Sequence, residues 1–92
     1  MQIQDVLNER QKTHGDYRQH AHVTQELKDV MRNHSGWDKL SATQRESLDM
    51  FAHKIGRILS GNPSFEDHWV DIAGYAQLVP NMQKLDKGIE RT

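Results

Sequence analysis

Residues 41–61 read Ser41-Ala42-Thr43-Gln44-Arg45-Glu46-Ser47-Leu48-Asp49-Met50-Phe51-Ala52-His53-Lys54-Ile55-Gly56-Arg57-Ile58-Leu59-Ser60-Gly61. The opening Ser-Ala-Thr-Gln is a capping box: the serine oxygen accepts a first-turn N–H and the glutamine reaches back to the serine N–H. Leu48, Phe51, Ala52, Ile55, Ile58 and Leu59 then recur at three- and four-residue steps. That is the period of a helix with one apolar face. Gly61, followed by Pro63, ends it.

Working outward, the same period continues in both directions. Val23, Leu27, Val30 and Met31 make a narrow apolar stripe over a helix from about Asp16 to Asn33, with Asp16 as its N-cap. A shorter helix spans Ile3 to Thr13, and Gly15 offers its C-terminal stop. Past Pro63, a fourth helix starts at Ser64. Glu66 and Asp67 sit in its first turn, where the helix dipole favours negative charge. Phe65, Trp69, Ile72, Ala73, Ala76 and Val79 form its apolar face, and Pro80 is expected to kink or end it. A tail frays from about Lys87. No window alternates with period two, so the fold class is all-α: a small antiparallel bundle of about four helices.

Ninety-two residues make a single domain, here residues 1–92. A hydrophobic share of 35% is lean for so short a chain, and no cysteine is available to staple it. Completion of the core by a homo-oligomer, with a dimer favoured, is therefore expected. The absence of cysteine excludes a disulfide scaffold and a thiolate zinc site. The polar N-terminal stretch lacks a signal-peptide core, and no apolar run reaches the roughly 18–20 residues a membrane span needs. The expected location is the cytoplasm, that of a host cell if the chain is phage-encoded. With 12 basic and 13 acidic residues and no basic block, the chain lacks the electrostatic footprint of a nucleic-acid binder.

Chemistry-bearing side chains gather in three places. On the 41–61 helix, Glu46, Asp49, His53 and Arg57 lie opposite the apolar face, with Lys54 at its boundary. Glu46 and Asp49 are three apart and can share a hard cation such as magnesium; a solvated, mixed-charge face is the other reading. On the next helix Asp67 and Asp71 are four apart, with Gly74 and Tyr75 continuing their face. They read either as site or as helix-end charge and packing. Gly56 and Gly74, each costing about 1 kcal/mol inside a helix, mark close approach of a neighbour or a ligand. In the turn His14-Gly15-Asp16-Tyr17, the histidine suits proton transfer or phosphate contact near neutral pH, or is incidental to a helix stop. His20 and His22, two apart, point away from each other and form no chelating pair. No zinc spacing, phosphate loop or serine-nucleophile motif occurs.

Three stretches taken together carry a resemblance: Glu9-Arg10-Gln11-Lys12-Thr13-His14-Gly15-Asp16-Tyr17, Lys54-Ile55-Gly56-Arg57-Ile58-Leu59-Ser60-Gly61-Asn62, and Asp67-His68-Trp69-Val70-Asp71-Ile72-Ala73-Gly74-Tyr75-Ala76-Gln77-Leu78. From about Val6 to Leu78 the chain resembles small phage and prophage proteins of unknown function. Through them it is distantly similar to the all-α, MazG-like nucleoside triphosphate pyrophosphohydrolases. Those are oligomeric bundles that hold magnesium with carboxylates on facing helices. Glu46-x-x-Asp49 fits one of that group's acid motifs, while its Glu-x-x-Glu partner motif does not occur. The resemblance implies Asp67, Asp71, Glu46 and Asp49 as metal ligands, Lys54, Arg57 and His14 as phosphate contacts, and metal-assisted attack of water on a phosphoryl group. It assigns no catalytic residue. The alternative expectation is a non-enzymatic phage protein that binds and modulates a host protein.

Overall fold

The computed structural model describes residues 2–91, with side chains described through Lys87. Its helices are α1 (Ile3–His14), α2 (Tyr17–Asn33), α3 (Ala42–Ser60) and α4 (Glu66–Arg91), with a 3-10 turn over Ser35–Lys39 between α2 and α3. No strand occurs among the described residues.

Each end of α3 has the cause that its sequence suggests. The Ser41 hydroxyl accepts from the Gln44 N–H at 3.2 Å, and the Ser41 N–H donates to Gln44 Oε1 at 2.9 Å. Gly61 closes the helix with its N–H on the Arg57 carbonyl. Asp16 stands at the N-cap of α2 as expected, yet its side chain makes no cap hydrogen bond. Pro80 does not end α4, which continues without interruption to Arg91, through the stretch expected to fray. Proline removes one i→i−4 bond, and a helix of 26 residues absorbs that single loss.

Helix α3 is the central element. On one flank α2 runs antiparallel to it: Arg32 lies near Asp49 at one end, and Thr24 lies against Gly56 further along. On the other flank α4 also runs antiparallel. Ser47 Oγ donates to the Tyr75 carbonyl at 3.1 Å, and Lys54 Nζ meets Asp71 Oδ2 at 2.7 Å. Helix α1 crosses the C-terminal end of α3. There Gly15, at φ +81°, turns the chain, and a Cβ on it would overlap the Ser60 carbonyl. Gly61 answers from the other side, where a Cβ would come within 2.5 Å of the Thr13 carbonyl.

These contacts differ from those the helix period suggests. The buried residues of α3 are Ser47, Lys54 and Gly56 on its flanks and Ala52 beside Leu48 and Leu59, so the helix packs mainly through its flanks. The most apolar line, Leu48, Ile55 and Leu59, lies between the flanks, with Ile55 and Leu59 exposed. Among the described residues Ala52 is the one buried hydrophobic side chain, while His20, Thr24, Ser47, Lys54 and His68 are buried and polar. Trp69 is not a core anchor: it is 54% exposed, and its Nε1–H donates to the Pro63 carbonyl at 2.7 Å.

Close approach at Gly56 is specific. A Cβ there would stand 2.5 Å from Thr24 Oγ1 and 2.7 Å from His20 Nδ1, both on buried side chains. At Gly74 a Cβ would meet nothing within 4 Å. Gly56→Ala should therefore lower stability by about 1–3 kcal/mol through overpacking. Gly74→Ala should raise it by up to about 1 kcal/mol through helix propensity. Urea midpoints at one fixed protein concentration check both, and equal effects would refute the assignment.

Candidate functional site

The junction of α1 with α2 encloses a cleft of about 410 Å³. Leu7, Arg10, Gln11 and His14 form its α1 wall, Gly15 and Asp16 its turn, Tyr17 and His20 its α2 wall, and Arg57 of α3 its inner side. Helical spacing explains the α1 wall, since positions 7, 10, 11 and 14 share one face. Arg57 reaches the cleft because it lies about 200° around α3 from the apolar residues Ile55 and Leu59.

The walls are fixed from behind. His68 is 1% exposed, and its Nε2–H donates to the Thr13 carbonyl at 3.0 Å. His14 stacks edge-on against the His68 ring at 4.9 Å and tilts against Phe65 at 6.1 Å. The Thr13 hydroxyl donates to the Arg10 carbonyl at 3.2 Å and also contacts His14 Nδ1, which orients that ring. The His20 ring lies 5.9 Å from that of His53 and 6.1 Å from that of Tyr17.

Charge in the cleft is cationic and under-compensated. Among the described residues neither Arg10 nor Arg57 forms an ion pair. Burial comes first, and the Arg57 guanidinium second, in holding His14 and His20 below the ordinary 6.5. His53 is lowered by burial and then by Lys28 and Arg57, with Asp49 and Glu46 opposing. All three shifts favour the neutral ring. Asp16 is the acid at the rim. Because it does not cap α2, the first-turn amides of that helix stay open beside the cleft.

The residues expected to act together are divided. Arg57 and His14 share the cleft. Lys54 does not join them: it is buried against α4 and spent on Asp71, whose carboxyl its hydrogen bond holds below the usual range. Asp49 sits on the α2 flank, with Oδ2 3.8 Å from Arg32 and Oδ1 buried without a partner. Glu46 and Asp67 are exposed on different helices. Among the described residues no three His, Cys, Asp or Glu side chains are grouped to hold a metal ion. The four acids thus do not fit a magnesium centre within one chain. Sequence reasoning missed Arg10, Tyr17, His20 and His68 as site residues. For Arg10, Tyr17 and His20 the one signal was the turn at Gly15, which brings α1 and α2 together around them; His68, on α4, had none.

Residues 2–83 match the model of a family described as a domain of unknown function, DUF6378. No curated protein and no solved structure matches the chain. Among the described residues no helix is long and apolar enough to cross a membrane.

The histidines make a pH prediction. His14, His20 and His53 bind protons more weakly folded than unfolded. Their contribution is complete above pH 6.5 and is lost as pH falls through the lowered folded values. The melting temperature should drop on acidification from pH 7.5 to 5, and His20→Asn should flatten that drop. A melting temperature that rises on acidification would sink this account.

Proposed function

We propose that this chain, which belongs to the DUF6378 family, binds a phosphorylated small molecule of the nucleotide class in the cleft around Arg57. The observation that carries the reading is the pair of unpaired guanidinium groups, Arg10 and Arg57, on one concave surface beside the open N-terminus of α2. Guanidinium groups suit phosphate because their planar N–H forks match its oxygens, and a helix N-terminus adds amide donors of the same polarity. A volume near 410 Å³ falls within the range of small-molecule sites. Tyr17, 81% exposed at the rim, offers a ring face on which a base can stack.

Binding follows from these groups alone. Burial is the main cause of the lowered His14 and His20 values; a phosphate between Arg10 and Arg57 offsets the second, the Arg57 field, and so raises the proton affinity of both rings. Affinity for phosphate therefore increases as pH falls through the histidine range. Magnesium enters this reading only as the companion of a ligand's phosphates, and no step is assigned to Glu46, Asp49, Asp67 or Asp71. The resemblance to small phage proteins supports an accessory role for such a binder.

The test is thermal stability of the full chain against a panel of nucleoside mono-, di- and triphosphates, each with and without magnesium. A ligand at a hundred times its dissociation constant adds about 2.7 kcal/mol of stability. At least one nucleotide should raise the melting temperature. Arg57→Gln should abolish the shift, and Asp16→Asn should enlarge it by removing the one carboxylate at the rim. No shift with any nucleotide would overturn the reading in favour of a protein that acts by binding another protein.

A further inference from the structure

Hydrogen bonding at the end of α1 fixes which nitrogen of His14 carries the proton. The Thr13 hydroxyl has one hydrogen, and it goes to the Arg10 carbonyl at 3.2 Å. The contact between Thr13 Oγ1 and His14 Nδ1 then takes its proton from the ring, so the Nδ1–H donates to Oγ1. A neutral imidazole with its hydrogen on Nδ1 has a bare lone pair on Nε2. That lone pair has no partner among the described residues, and Nε2 is not sealed from solvent. His68 at 4.9 Å and Phe65 at 6.1 Å hold the ring on its other sides. The solvent that Nε2 meets is that of the cleft, which His14 lines.

This acceptor stands among donors. Arg10 lies one turn before His14 on the same face of α1, and Arg57 comes from the inner side. Guanidinium groups only donate, and so do the open first-turn amides of α2. The charged oxygens of an oxyanion suit those donors but not Nε2, whose lone pair repels them. A fully ionised oxyanion therefore leaves Nε2 unpaired, whereas one that keeps a hydroxyl can turn its O–H toward it.

We propose that His14 Nε2 selects the ligand's oxyanion by accepting a hydrogen bond from it, so that the cleft takes phosphate in preference to sulfate. The two anions are alike in shape and size. At about pH 8 both are mainly dianions, but hydrogen phosphate carries an O–H and sulfate carries none. Among larger ligands a terminal phosphate can present that hydroxyl, while a sulfate ester or an internal phosphodiester cannot. Thr13 is the positioning residue, since its hydroxyl oxygen keeps the ring proton on Nδ1. The selection belongs to the neutral ring. Around that ring stand Arg10 on its own helix, Asp16, Tyr17 and His20 across the cleft, Arg57 of α3 and His68 of α4. Burial, then Arg57, His68 and Arg10, disfavour a charge on it, opposed by a hydrogen bond to the Arg10 carbonyl. Once acid charges the ring, Nε2 donates to phosphate and sulfate alike. The inference rests on phosphate binding in the cleft and adds which anion is refused.

Two measurements on the full chain test it. Long-range nitrogen–proton correlation spectra of the histidine side chains at about pH 8 should find the His14 proton on Nδ1. A proton on Nε2 would overturn the proposal before any ligand is added. Amide-shift titrations at the same pH should give inorganic phosphate a dissociation constant at least about fivefold below that of sulfate, the worth of one hydrogen bond. His14→Phe should bring the two within about twofold. Thr13→Val, which keeps the side chain's shape without its hydroxyl, should do the same, and Thr13→Ser should restore the preference. A preference that survives both His14→Phe and Thr13→Val would sink the assignment. Equal affinities in the unaltered chain would overturn the selection and leave phosphate binding standing, whereas binding of neither anion would overturn both.

Discussion

The carbonyl oxygen of Thr13 ties three parts of the chain together. It accepts the Asn62 N–H at 3.1 Å and the His68 Nε2–H at 3.0 Å, which joins the end of α1 to the α3–α4 connection and to α4. A backbone acceptor has two lone pairs, and here both are used. Gly15 and Gly61 make this approach sterically feasible, since a side chain on either would collide with the opposing backbone. His14 is the next residue along from Thr13, so the node that docks α1 also sets the position of the cleft. His68 is then less a reacting group than the peg against which the His14 ring rests.

Polar groups occupy the inner surfaces throughout. Between α2 and α3 they are His20, Thr24 and Asp49; between α3 and α4 they are Ser47, Lys54 and Asp71. Such contacts fix register well but add little net stability, because each exchanges hydration for a bond of similar strength. His20 Nδ1 and Thr24 Oγ1 even face Gly56 without a hydrogen-bond partner among the described residues. Specificity thus comes from the flanks of α3.

This division explains what was legible in the sequence. The capping box at Ser41 and Gln44 and the stop at Gly61 are local hydrogen-bond and dihedral effects, so they read directly. The all-helical class follows from the same period. The direction of burial did not read, because periodicity identifies an apolar face without saying whether the same chain or another copy meets it. Ile55 and Leu59 look like core in sequence and are exposed in the single chain, with Leu48 half-buried beside them. The site was half legible. Arg57 and His14 were marked by residue type and by the turn at Gly15. Arg10 and His20 were not, because their relevance depends on how α1 crosses α3, a long-range fact. The acids misled for the same reason: Asp71 is a plausible ligand by spacing until Lys54, on another helix, takes it.

Helix α3 carries both kinds of surface at once, and its period makes this economical. Arg57 lies between Ile55 and Leu59 in sequence but about 200° from each around the axis. A charged group at a solvent-filled cleft and apolar groups on the other side can alternate within one turn and never compete. The glycines at 56 and 61 let the neighbours of α3 approach closely, α2 along the flank and α1 at the end. A larger residue at 56 would press on the Thr24 and His20 side chains of α2, and one at 61 on the backbone of Thr13 to Gly15, so each position sets the distance at which a neighbouring helix can dock.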